Sequence, residues 1–208
     1  LDEQTWVDTR RSLHGVAELL IAGPQYREHG TIRLRVTSGG FGGPASPIRV
    51  DGSELVWPGG VTRLAGTCAD LAATVGVRAE APGIYADDSG LTPDAPLSVD
   101  PVAAVVLADW LGRGDAALRA FAPDAEPVLW PEHFDLAITV DEVNYGVSPG
   151  DAGHPRPYAY VGPWSPPSPE PGGFWNAPFG ALRPAEALTS VESVLDFFTE
   201  GRDAARAA

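Results

Sequence analysis

The chain has 208 residues, a formal net charge of −14 and 44% hydrophobic against 20% charged residues, a balance that excludes a disordered chain. All 14 basic residues are arginines, so Schiff-base lysine, pyridoxal-phosphate and Walker A chemistry are excluded. The same acidity repels nucleic-acid phosphates and anionic lipid head groups, so no nucleic acid and no membrane are expected as partners.

Residues 5–22 predict a first helix, with Trp6, Leu13, Val16 and Leu20 at helical spacing and Gly23-Pro24 as its stop. Residues 31–36 alternate polar and apolar as a half-buried strand does. Ser38-Gly39-Gly40-Phe41-Gly42-Gly43 follows and reads as a flexible loop or lid, since Pro44 rather than a helix succeeds it. Short strands at 48–50, 54–57 and 61–64 make an antiparallel meander, turned at Asp51-Gly52 and at Pro58-Gly59-Gly60. Thr67 caps a short helix that ends at Gly76, and Cys68, the single cysteine, reads there as a small buried hydrophobe. Residues 76–99 are irregular, either a surface crossover or a division between domains.

Asp100-Pro101 starts a helix running to about Phe121, with Val102, Val105, Val106, Trp110, Leu118 and Phe121 as its apolar residues. Residues 134–140 form the clearest strand, followed by strands at 143–147 and 158–161. The five prolines between residues 163 and 171 mark a loop, and Thr189 with Glu192 fits a capping box for a last helix. The whole predicts one α+β domain, an antiparallel meander- or sandwich-like sheet packed with about four helices. No run approaches the ~20 apolar residues of a membrane span, and the default location is cytoplasmic.

The densest chemistry is Trp130-Pro131-Glu132-His133-Phe134-Asp135. If the strand reaches back to residue 133, His133 and Asp135 share one face, as a base with its orienting carboxylate or as two ligands of a divalent metal. Glu142 is the third candidate acid or ligand, with Asp151 and His154 in the loop beyond. Trp130, Asn144, Tyr145, Tyr158, Tyr160 and Trp164 would line a pocket for a small organic molecule. The other reading of these residues is a solvated strand edge and an ordinary aromatic core. His14, beside Arg11 and Glu18 on the first helix, reads as structural.

The segment Trp130 to Ala137, with Ser148-Pro149-Gly150, Tyr158-Ala159-Tyr160 and the tryptophan- and proline-rich stretch after it, resembles the bacterial family called domain of unknown function 5996. The lysine-free, Ala-, Gly- and Pro-rich composition resembles translation from a GC-rich, actinobacterial-type genome. The resemblance implies no activity and transfers no catalytic residue. Two functions stay open: a small-molecule-binding protein or enzyme, or a non-catalytic interaction module using the aromatic and proline-rich surface of residues 163–179.

Overall fold

The computed structural model describes residues 1–169 and 172–207, so Pro171 of the proline-rich loop lies outside the described residues. The fold is α+β, with two five-stranded antiparallel sheets and four helical runs. The chain divides into two compact units, Leu1–Gly112 with Leu129–Phe134, and Arg113–Val128 with Asp135–Ala208.

The first unit opens with a helical run longer than the sequence predicts. α1 (Glu3–Val16) passes through a π-helical segment, Ala17–Ala22, into α2 (Gly23–His29). Asp2 caps the start, its carboxylate accepting from the Thr5 amide at 3.0 Å. Pro24 does not stop the helix. A proline in a regular α-helix loses its own hydrogen bond and collides with the preceding turn; here the π segment widens that turn, and Gly23 donates to the carbonyl of Glu18, five residues back.

Five strands follow as a meander, β1 (Arg35–Thr37), β2 (Gly40–Gly42), β3 (Arg49–Asp51), β4 (Glu54–Trp57) and β5 (Gly60–Arg63), paired in that order. The glycine-rich stretch is therefore a strand and not a lid, and Phe41 within it is fully buried. Next comes α3 (Cys68–Val75), held by a reciprocal Thr67–Asp70 capping box. Cys68 is fully buried, and burial pushes its thiol up to about 12, which removes it as a nucleophile.

Residues 76–99 lie inside the first unit, as a crossing segment strapped to the helical run. A Cβ on Gly15 would strike the Leu91 side chain, and one on Gly23 would strike the Glu80 carbonyl at 1.7 Å, so these glycines are notches in which the segment rests. Arg11 donates to the Ser89 and Gly90 carbonyls, Arg27 to those of Arg78 and Glu80, and the Glu80 amide to that of Leu19. The buried hydroxyls of Thr9 and Ser12 accept from the amides of Asp100 and Ser98. The Asp100 carboxylate then caps α4 (Pro101–Phe121). Here the expected apolar face is corrected. Ala103, Leu107, Trp110, Leu111 and Leu118 are buried, whereas Val102, Val105 and Val106 are 62%, 52% and 42% exposed. The bulky Trp110 and Leu111 set the inward stripe, and positions 102 and 106 fall off it.

The second sheet runs in the order β10-β9-β8-β7-β6, made of β6 (Val128–Trp130), β7 (Asp135–Val140), β8 (Val143–Ser148), β9 (Tyr158–Pro163) and β10 (Ala181–Pro184). Within the second unit, register puts Leu136, Val147 and Ala159 in one cross-strand row and Ile138, Tyr145 and Val161 in the next. α5 (Val191–Ala207) lies on that apolar face, where Gly201 meets Val161. Its cap is shifted by one from expectation: the Ser193 amide donates to the Ser190 hydroxyl and the Ser190 amide to the Ser193 hydroxyl.

Candidate functional site

In the first unit the Trp130–Phe134 segment meets the helical run. Phe134 does not begin the strand. It takes a left-handed backbone with φ 52°, and β7 starts one residue later. That turn sends the Phe134 ring inward, stacked on His14 at 5.2 Å and edge-on to Phe41 at 5.3 Å. A left-handed conformation in a bulky residue costs on the order of 1–2 kcal/mol and persists only where its surroundings hold it.

The other edge of His14 meets the same segment, Nε2 lying 2.6 Å from the Pro131 carbonyl. A carbonyl only accepts, so Nε2 carries the proton and Nδ1 is left as the acceptor. Burial holds the imidazole down at about 4, and the ring is neutral at pH 7. The approach of Nε2 to Glu18 at 3.9 Å is therefore not an ion pair at that pH.

Glu18 sits in the π segment, 1% exposed. Its Oε2 accepts from the Ser89 amide at 3.0 Å. Burial raises its carboxyl above the ordinary range, against the hydrogen bonds from Ser89 and Tyr85. The Tyr85 hydroxyl stands beside that carboxyl and donates towards it. Burial first, then the charge of Glu18 and the hydrogen bond to it, then the charges of Glu132 and Asp88, push the phenol above its usual value. A solvent-shielded acid, the phenol beside it and a neutral imidazole thus share one locus. Such groups can bind a polar molecule and move a proton. His133 and Glu132 flank it, 3.8 Å apart, with His133 side chain 57% exposed.

In the second unit the open face of the sheet is polar. Tyr158 and Tyr160 share that face, as their spacing predicts, with rings 6.3 Å apart, while Ala159 and Val161 are buried on the other. Tyr160 donates to Asp135, and Tyr158 to Asp151 at 2.5 Å. The Tyr160 ring reaches Asp135 by crossing β8 at Gly146, where a Cβ would lie 2.6 Å from the ring. Burial, then the charge of Asp135, raises the Tyr160 phenol. Burial works against Asp151, but hydrogen bonds from Tyr158, His154 and Gly153 hold its carboxyl below the usual range. A pocket of about 160 Å³ opens nearby, lined among others by His154, Arg156, Tyr158, Leu182 and Pro184.

The structure separates the residues that the sequence groups as catalytic or metal-binding. His133 is in a turn, because the left-handed Phe134 ends the alternation before it reaches residue 133. Asp135 begins β7 and Glu142 lies in the turn beyond its far end, six strand residues or about 20 Å away. Among the described residues, no three His, Cys, Asp or Glu are grouped to hold a metal ion.

The expected aromatic lining disperses too. Tyr145 is core, 2% exposed and 4.6 Å from the Phe121 ring. Asn144 accepts from Thr139 across the hairpin. Arg33 covers the Trp130 ring at 5.8 Å, and Trp164 is 64% exposed. Glu18 and Tyr85 were not foreseen. One signal was available: Glu18 is a charge inside the apolar run Val16 to Ala22, four residues from His14. Tyr85 carried none. No family model, curated protein or solved structure matches the chain.

Proposed function

We propose that the first unit binds a small polar molecule at Glu18, Tyr85 and His14, with the buried Glu18 carboxyl as proton donor in any acid–base step. The observation that carries this reading is the Glu18 carboxyl, 1% exposed inside the helical run with the Tyr85 hydroxyl and the His14 ring beside it. The crossing segment over the site supports the reading, since long irregular segments inside compact units are commonly functional. The test is a thermal-shift screen of small amides, amines, alcohols and hydroxy acids. Compounds that raise the melting temperature of the parent are expected to lose that effect in Glu18→Gln and Tyr85→Phe. Hits that act equally on the parent and both variants would place the ligand elsewhere and remove this reading.

A second reading, an interaction surface in residues 163–179, rests on Trp164 and Phe179, 64% and 37% exposed. Phe174 in the same stretch is instead engaged with Phe197 at 5.6 Å. Self-association that disappears in Trp164→Ala, followed by sedimentation, would favour this alternative.

A further inference from the structure

We propose that the second unit holds a binding site of its own, for a single-ring aromatic carboxylate, in the pocket of about 160 Å³ beside β10. Glu18 and Tyr85 play no part in it. One wall follows from strand register. Pro184 of β10 pairs with Tyr158 of β9, and Leu182 with Tyr160, so Leu182, Pro184 and Tyr158 stand on one face of the sheet. The rest of the lining is the loop before β9, with His154, Pro155, Arg156 and Pro157. Tyr158 commits its hydroxyl to Asp151 at 2.5 Å, and so brings the pocket its ring rather than a hydrogen-bonding group.

The loop is held in place before any ligand arrives. The Asp151 carboxylate accepts from the amides of Gly153 and His154 at 2.6 and 2.8 Å, and the Asp151 amide donates to the His154 carbonyl at 2.8 Å. Those bonds close the 151–154 turn. A proline on each side of Arg156 restricts the backbone there, since proline fixes its own φ and drives the residue before it to extended conformation. The Pro157 carbonyl then accepts from the Ala185 amide at 2.9 Å, which ties the loop to the end of β10. An entering ligand therefore orders little chain, and a small contact area suffices for measurable binding.

Size and lining set the ligand class. A cavity of about 150 Å³ accepts one benzene ring, and here Pro155, Pro157, Pro184, Leu182 and the Tyr158 ring give such a ring apolar contact. Besides Tyr158, the polar side chains in the lining are those of His154 and Arg156; among the described residues that line the pocket, none is a carboxylate. An imidazole carries an N–H in either tautomer. A guanidinium carries five donors, so the neighbour that Arg156 already engages does not exhaust it. A carboxylate matches the planar guanidinium fork, whereas an ammonium group would meet like charge. Asp151 has both carboxylate oxygens in hydrogen bonds, to Tyr158 and to the Gly153 and His154 amides, which limits what it offers a cation. The net charge of −14 opposes an anion only at long range, and physiological salt screens it beyond about 8 Å.

The test follows the backbone amides of the full chain by nitrogen–proton correlation spectra during titration with sodium benzoate, benzylamine hydrochloride and sodium acetate at physiological salt. Benzoate is expected to shift the amides of Gly153, His154, Arg156, Tyr158 and Leu182, with a dissociation constant of about 1 mM for so few atoms. Acetate has the charge without the ring, and benzylamine the ring with the opposite charge; each is expected to bind roughly tenfold more weakly. Arg156→Gln should weaken benzoate roughly tenfold through the lost charged hydrogen bond. Leu182→Ala should weaken it a few-fold through the lost wall, and the spectrum of each variant reports whether it folds. Benzylamine binding as tightly as benzoate would overturn the anionic class, and acetate doing so would overturn the aromatic one. Benzoate shifts confined to other residues, or untouched by both substitutions, would overturn the site, as would the absence of any shift at about 20 mM benzoate.

Discussion

His14 and Glu18 are one helical turn apart, yet their protonation pulls stability in opposite directions. The imidazole is held at about 4 in the folded chain against an ordinary value of 6.5. The unfolded chain therefore takes up a proton first, and stability falls as pH drops from about 6.5 to about 4, by up to about 3 kcal/mol. Glu18 has its carboxyl raised, so the folded state keeps a proton that the unfolded state releases. Its contribution is fully present below about 4.5 and is lost as pH rises through the raised folded value. Denaturation midpoints measured against pH should show His14→Phe flattening the acid limb and Glu18→Gln flattening the opposite one. An unchanged acid limb in His14→Phe would show that the imidazole is not the group responsible. The sequence shows both residues but not their burial. That depends on Ser89 and Pro131, distant along the chain, and no local pattern reports it.

At the level of elements, regular periodicity was readable and backbone irregularity was not. The meander, the strand from residue 135 to 140 and the Thr67 and Asp100 caps follow from alternation and capping chemistry. The π segment, the left-handed Phe134 and the strand at Gly40–Gly42 do not, because each is imposed by packing against remote chain. The β7–β8 hairpin shows how such irregularity can be tested. Asp141 and Glu142 form its two-residue turn with φ 51° and 63°, a conformation that favours Asn-Gly. Glu142→Gly should therefore raise stability by about 1 kcal/mol in urea denaturation; a loss instead would mean that the side chain does work the turn does not reveal. Gly146 makes the opposite case. Gly146→Ala would press on the Tyr160 ring and on the Leu136 carbonyl. It should cost about 1–3 kcal/mol and return the Tyr160 phenol towards ordinary titration, followed by tyrosine absorbance.

For the whole molecule, the informative fact is that the first unit is discontinuous, closing only with residues 129–134. Phe134 is 1% exposed within it. Phe134→Ala should cost about 3–5 kcal/mol and raise amide hydrogen exchange along residues 3–29, a response that a merely peripheral residue would not produce. The sequence left residues 76–99, rich in Pro, Gly and Asp, open between a surface crossover and a division between domains. Contacts place those residues inside the first unit, because notches at Gly15 and Gly23 and side chains such as Arg11 tie irregular backbone to helix without any regular pattern. The late return of residues 129–134 also has a consequence in time. During synthesis the His14 helix, the meander and the crossing segment all emerge before Pro131 and Phe134 exist. Until then the imidazole has neither its carbonyl nor its stacking partner, so the buried surroundings of His14 can be completed only when translation has passed into the second sheet.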